Sequence, residues 1–192
     1  AWKNFSPTIP FDLLYIPDAA ARASLAASYL PYFNVELRAD EEVSIARLRK
    51  KHRGRMPRVI QLMGPSSWID PSLAARGGAT MEGALIIGTC PGGHGLDLSE
   101  RGQDFVQRFT STHGRAPSET AASAHDALSL VLQAQASAAY GGGQRADVTR
   151  ALRGAQLRDG VCGTRTMNSS GQVEGEIEVL RATQGGFEIY EY

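Results

Sequence analysis

The strongest constraint in this sequence is the repeated exchange of short apolar runs with helix signals. Leu13-Leu14-Tyr15-Ile16, Val59-Ile60-Gln61-Leu62-Met63 and Ala84-Leu85-Ile86-Ile87-Gly88 are apolar on both alternate faces. That pattern suits strands covered on both sides of a sheet. Helix signals follow the strands. Asp18 is expected to cap a helix over the alanine-rich stretch to Leu30, where Pro31 stops it. Asp40 precedes a segment with Glu41 and Glu42 at its start and cations at its end, which complements the helix dipole. Asp70-Pro71 opens a third helix, with proline at the first helical position. Strands alternating with helices predict an α/β fold with a parallel sheet, whose ligands sit at the carboxyl ends of the strands. Those ends are Pro17 to Ala20, Gly64 to Trp68 and Thr89 to Gly95.

The second half reads differently. Helices are predicted from Ser99 to His113, from Pro117-Ser118 to Tyr140, and from Asp147 to Gly154. From Gly160 the pattern alternates, with turns at Ser169-Ser170-Gly171 and Gln184-Gly185-Gly186, and Ile177, Val179, Leu180, Phe187 and Ile189 form an antiparallel hairpin.

Composition narrows the function. The 192 residues carry 20 Lys+Arg and 20 Asp+Glu, so the formal net charge is zero. A nucleic-acid binder draws its affinity from excess cations, so that class is disfavoured. No run approaches the ~18 apolar residues of a membrane span. Ala1-Trp2-Lys3 is neither an initiator sequence nor a signal peptide. Cys90 and Cys162 are far apart and outside any CxxC pair. They form one disulfide in an oxidising compartment, or stay two independent buried thiols; spacing does not choose.

No catalytic constellation emerges. There is no G-x-S-x-G elbow, no phosphate loop ending in G-K-[ST] and no G-x-G-x-x-G. Cys90 and His94, in a glycine-rich loop, offer a remote Cys/His enzyme reading and too few ligands for zinc. His125-Asp126 looks like a metal-ligand pair, but the other histidines have unrelated contexts, and a packing or surface role for the histidine is the simpler reading. Arg47, Arg49, Lys50, Lys51, Arg53, Arg55 and Arg58, with His52 among them, suit anionic headgroups or glycans. The plainer reading is a solvated helix end. Asn4-Phe5-Ser6 and Asn168-Ser169-Ser170 match the glycosylation sequon, a match common by chance. The expectation is a binding protein with no catalytic residue, metal or cofactor.

One resemblance covers nearly the whole chain. Phe11 to Asp18 is followed by the alanine-rich helix, then Val59 to Gly64, Trp68-Ile69-Asp70-Pro71-Ser72-Leu73, Gly77-Gly78 and Met81-Glu82-Gly83-Ala84. Phe105 and Phe109, Gly114-Arg115-Ala116-Pro117, Ala124-His125-Asp126-Ala127 and Asp159-Gly160-Val161-Cys162-Gly163-Thr164 then come in order before Asn168 to Gly171. This order resembles the second half of type I periplasmic solute-binding proteins, the leucine/isoleucine/valine-binding group, and within it lipoprotein relatives described as penicillin-binding protein activators.

The resemblance implies Rossmann-like lobes with helices on both faces of a parallel sheet and a C-terminal antiparallel hairpin. It assigns residues 1–95 to part of the second lobe and 96–192 to a segment returning to the first. It implies that the first half of such a protein lies outside this chain. It also implies a periplasmic or cell-envelope, lipid-anchored module that binds a small polar ligand, an amino acid or a cell-wall-derived molecule, in a hinged cleft, or serves as an interaction module. The alternative is a receptor delivering branched-chain or other amino acids to an ABC transporter. A membrane permease or a cell-wall synthase is the implied partner. The ligand loops would be Asp18-Ala19-Ala20 and Ser66-Ser67-Trp68. The chain departs from the family pattern there. Ser66 stands where an acidic residue commonly pairs with the ligand ammonium, and Ala19 or Ala20 replaces an aromatic. A serine does not neutralise an ammonium as a carboxylate does. The segment from Arg38 to Arg58 is longer than the family's usual connection.

Overall fold

A computed structural model describes residues 9–70, 73, 76–90, 99–139 and 141–191. The chain forms two compact units, one of residues 1–88 with 179–192 and one of residues 89–178. The first unit leaves off at Gly88 and resumes at Val179, so the terminal hairpin packs within it. The reason is a pairing that no local pattern announces. Gly83 N–H donates to the Ala182 carbonyl at 2.8 Å, and Ala182 N–H donates to the Ala84 carbonyl at 2.9 Å.

The first unit is built on a sheet containing β1 (Leu13–Tyr15), β2 (Glu36–Leu37), β3 (Val59–Pro65), β4 (Leu85–Gly88), β8 (Glu178–Thr183) and β9 (Gly186–Ile189). Its order is β1-β3-β4-β8-β9, with β2 also pairing β3. β1, β2 and β4 all run parallel to β3, with Tyr15 opposite Met63 and Met63 opposite Leu85. β8 and β9 form the expected antiparallel hairpin, with Ala182 opposite Phe187. The apolar runs seen in the sequence supply the core: Ile60, Leu62, Ile86 and Leu180 are fully buried, with Trp68, Leu73 and Met81.

Helix α1 (Ala20–Tyr29) buries Ala20, Ala23, Ser24 and Ala27. These small residues recur at i, i+3, i+4 and i+7, the stripe of a helix that lies close against its support. Asp18 is not its N-cap as expected. Ala19 holds that position with no side-chain cap. After α1 a 3₁₀ turn at Leu30–Phe33 begins with Pro31 in its first turn and ends at Asn34 in the left-handed region, φ 58°. Helix α2 (Glu42–Lys51) starts close to where Asp40 placed it, with Glu41 at the N-cap position and no side-chain cap. Buried Glu82 accepts from Glu41 N–H and Ser44 Oγ, each at 2.6 Å, and so fixes the start of α2. The opening of the Asp70-Pro71 helix lies partly outside the described residues, as does the 91–95 loop with His94.

The second unit contains α3 (Glu100–His113), α4 (Glu119–Ala139), α5 (Arg145–Leu152) and a sheet ordered β5-β6-β7. Ser99 Oγ caps α3 by accepting from Gly102 N–H. Gly114 ends that helix at φ 66°, a backbone conformation that costs glycine little. Strands β5 (Gln156–Gly160), β6 (Gly163–Met167) and β7 (Val173–Gly175) form an antiparallel meander. The sequence reading noted alternation here but not this sheet. The cause is polarity: of Gln156-Leu157-Arg158-Asp159-Gly160 only Leu157 is a buried apolar side chain.

Cys90 and Cys162 form a disulfide within this unit, 72 residues apart in sequence. Of the two readings the residues left open, the structure takes the bridge. It lies in a small core with Ala122, Val161 and the half-buried Phe105. Closing a loop this long restricts the unfolded chain. Reduction is expected to lower the stability of this unit by about 2–4 kcal/mol. Denaturation with and without reductant measures it; equal midpoints would mean the bridge adds nothing.

Candidate functional site

β1 and β3 are adjacent and parallel, so their carboxyl ends open side by side. Ile16 N–H donates to the Met63 carbonyl at 3.0 Å and extends the pairing past Tyr15. The chain then turns at Asp18, whose N–H donates to the Ile16 carbonyl at 2.9 Å. On the β3 side, Ser66–Trp68 form one 3₁₀ turn.

The two loops are tied together at one atom. The Asp18 carbonyl accepts from Ser67 Oγ at 3.1 Å and from Trp68 Nε1 at 2.9 Å. Trp68 is 0% exposed, so its indole is a post beneath the loops rather than an open ring. Room for that post comes from Gly64. A Cβ there would stand 2.1 Å from Trp68 Cε2, far inside contact distance. The glycine at the end of β3 is thus a packing requirement, which the sequence reading missed. The available signal was Gly64 four residues before a tryptophan.

Asp18 is the charged side chain in these loops. Its Oδ1 accepts from Ala19 N–H and from Arg22 Nε, each at 2.7 Å. The Arg22 guanidinium, aided by the Ala19 N–H, holds the Asp18 carboxyl below the usual carboxylate range. The same contact raises Arg22. Asp18 therefore stays ionised and already has a partner. The i,i+4 spacing of Asp18 and Arg22 was readable in the sequence.

The structure thus brings Asp18, Ala19, Ser66, Ser67 and Trp68 together at one edge of the first unit. Ala20 is buried in the α1 packing face. Ser66 is half-buried, and its hydroxyl makes no hydrogen bond among the described residues. Of the third strand end, Thr89 and Cys90 fall in the second unit and residues 91–98 lie outside the described residues. Chemically, the paired loops offer serine hydroxyls and one compensated carboxylate. Among the described residues no group of three or more His, Cys, Asp and Glu side chains is placed to hold a metal.

The other sequence candidates have structural partners. The sulfur of Cys90 is bonded to Cys162 and fully buried, so it is not a thiolate nucleophile. His125 packs on Phe105, with ring centroids 4.6 Å apart. Asp126 is buried, and its two oxygens accept from Val161 N–H at 2.8 Å and Cys162 N–H at 2.7 Å. His125 thus stacks on an aromatic ring, and Asp126 is held by backbone donors. Asp126 carries the larger duty, bracing the turn between β5 and β6.

A family model described as periplasmic binding protein matches residues 48–186. No match was found among curated protein sequences. Among solved structures, a leucine-binding protein of Thermotoga maritima is 17% identical with a TM-score of 0.63, covering 94% of this chain and 44% of that one. A Rhodopseudomonas palustris protein is 15% identical with a TM-score of 0.65, covering 94% and 48%. A solute-binding protein of an ABC transporter from R. palustris, in complex with benzoate, is 19% identical with a TM-score of 0.58, covering 93% and 42%. The chain spans less than half the length of these structures. They share its type I periplasmic binding protein fold.

Proposed function

Because this chain belongs to the periplasmic binding protein family, we propose that it forms part of a non-catalytic receptor for a small polar solute. In this reading the loops Asp18-Ala19-Ala20 and Ser66-Ser67-Trp68 make one wall of the ligand site. The observation that carries it is the junction of the two loops at the Asp18 carbonyl, at the ends of adjacent parallel strands. Ligands of open parallel sheets bind at such ends. Ser66, whose hydroxyl makes no hydrogen bond among the described residues, makes the direct contact; Trp68 holds the loops in place from beneath. Asp18 is already paired with Arg22, so this wall recognises its ligand through hydrogen bonds rather than an ion pair.

The family implies a periplasmic or extracytoplasmic location, and the Cys90–Cys162 disulfide supports one, since such bonds persist in oxidising compartments. A permease is the partner of a transport receptor, and a cell-wall synthase that of a regulatory module. The exposed Phe11, Leu13 and Tyr15, and the exposed Leu128, Val131 and Leu132, support a further partner. It is a complementary segment of the kind that makes up the rest of the relatives' length.

Calorimetric titration with leucine, isoleucine, benzoate and muropeptides tests the ligand reading. Binding of at least one is expected, with Ser66→Ala weakening it about three- to tenfold, the worth of one hydrogen bond. No heat with any of them at millimolar concentration, together with capture of a cell-wall synthase, would replace the receptor by an interaction module.

A further inference from the structure

Helix α2 is fastened at its two ends by buried carboxylates. At its start Glu82 accepts from Glu41 N–H and Ser44 Oγ. At its end Glu36, on β2, holds Lys51 Nζ at 2.6 Å and lies 2.8 Å from His52 Nε2. A buried carboxylate is costly unless it is paired, and these partners satisfy both. Between its ends α2 is thinly packed. Of its ten residues only Ser44 is buried, whereas α1 buries a stripe of four.

Beside the thinly packed stretch lies a groove of about 180 Å³. Its apolar lining comes from separate segments: Pro31, then Leu37 and Ala39, then Leu48 of α2, then Ala79. An apolar cavity of about 150 Å³ holds a molecule the size of benzene. This groove therefore has room for one ring or a branched chain of similar size. Three charged side chains also line it, Glu36, Lys51 and Arg47. Glu36 and Lys51 compensate each other. Arg47 is exposed and makes no ion pair among the described residues, so the groove is left with one positive charge.

We propose that this groove binds a small organic monocarboxylate, with its apolar body against Leu37, Leu48 and Ala79 and its carboxylate on the Arg47 guanidinium. Charge decides the sign of the ligand: the one uncompensated group is a cation, whose planar fork matches the two oxygens of a carboxylate. Volume and lining decide the rest. A second carboxylate would sit unpaired against apolar side chains. An amino acid would bring an ammonium, and the groove's carboxylate is already taken by Lys51 and His52. The ligand would fill the space that the packing of α2 leaves open. The proposal does not depend on what the Asp18 and Ser66 loops bind.

Titration of the full chain with cyclohexanecarboxylate, followed by amide and methyl NMR, tests it. Binding at millimolar concentration or below is expected, with shifts at Leu37, Leu48 and Ala79 and none from Ser66 to Trp68. The neutral cyclohexanecarboxamide should bind about tenfold more weakly, the worth of a hydrogen bond to a charged group. The acid should lose the same factor with the Arg47→Gln variant, whose exposed position spares the fold. Ala79→Leu fills the groove, keeps Arg47 and should abolish binding; unchanged circular dichroism verifies both folds. No binding at millimolar concentration would overturn the proposal. So would shifts confined to the Asp18 and Ser66 loops, equal affinity for acid and amide, or either variant binding as well as its parent.

Discussion

Trp68→Ala is expected to destabilise the first unit by about 3–5 kcal/mol, the range for removing a large buried aromatic. The indole is fully buried, lies against Gly64, and donates its N–H to the Asp18 carbonyl. Alanine leaves a cavity below both loops. Trp68→Phe separates the two contributions. It keeps an aromatic ring, removes the hydrogen bond and trims part of the buried indole volume, so it should cost less than alanine but more than the hydrogen bond alone. The Asp18 carbonyl then keeps Ser67 as a donor. Urea denaturation of the parent and both variants measures the order. If alanine and phenylalanine cost the same, the ring is not the post that sets the loops.

The second large effect lies in the other unit. Asp126→Ala is expected to cost about 3–5 kcal/mol, because a buried backbone N–H left unpaired costs about 1–3 kcal/mol. Two such groups, those of Val161 and Cys162, lose their acceptor together. The space is as specific as the charge. A Cβ at Gly160 would stand 2.5 Å from Asp126 Oδ2, so Gly160 cannot take a side chain without moving the carboxylate. Asp126→Asn keeps one acceptor oxygen and turns an amide toward the other N–H, so it should fall between parent and alanine. Thermal unfolding with the disulfide intact is the measurement. An asparagine variant as stable as the parent would show that one acceptor suffices.

These two residues show what could be read from the chain and what could not. Trp68 was singled out because it stands just after a strand end, which is a local pattern. Its role was not legible, because it depends on Gly64 and the Asp18 carbonyl, one of them 50 residues away. Asp126 stands next to His125 in a helical segment, with no local sign of its role. Nothing near it in sequence identifies the N–H groups that it satisfies, 35 and 36 residues on. The cysteines followed the same rule. Their identity was plain, and their pairing waited on the fold.

The parallel strands were visible because burial on both faces leaves a continuous apolar run, as in Val59 to Met63 and Leu85 to Ile87. The helices were visible from caps, breakers and alanine-rich spacing. The meander of β5, β6 and β7 was not, because a strand with one buried apolar side chain carries almost no period-2 signal.

By itself the sequence determined the alternation of strands and helices, the two loops at the ends of β1 and β3, and the basic segment of α2. Each of these is set by neighbours within a few residues, where propensity and periodicity act. Only the tertiary structure decided that the terminal hairpin joins the first unit, that Cys90 meets Cys162, and that Trp68 is a buried support. Those outcomes rest on contacts between residues dozens of positions apart. Their free energy is realised only when the backbone closes a sheet, and no local pattern of residues encodes which distant groups will meet.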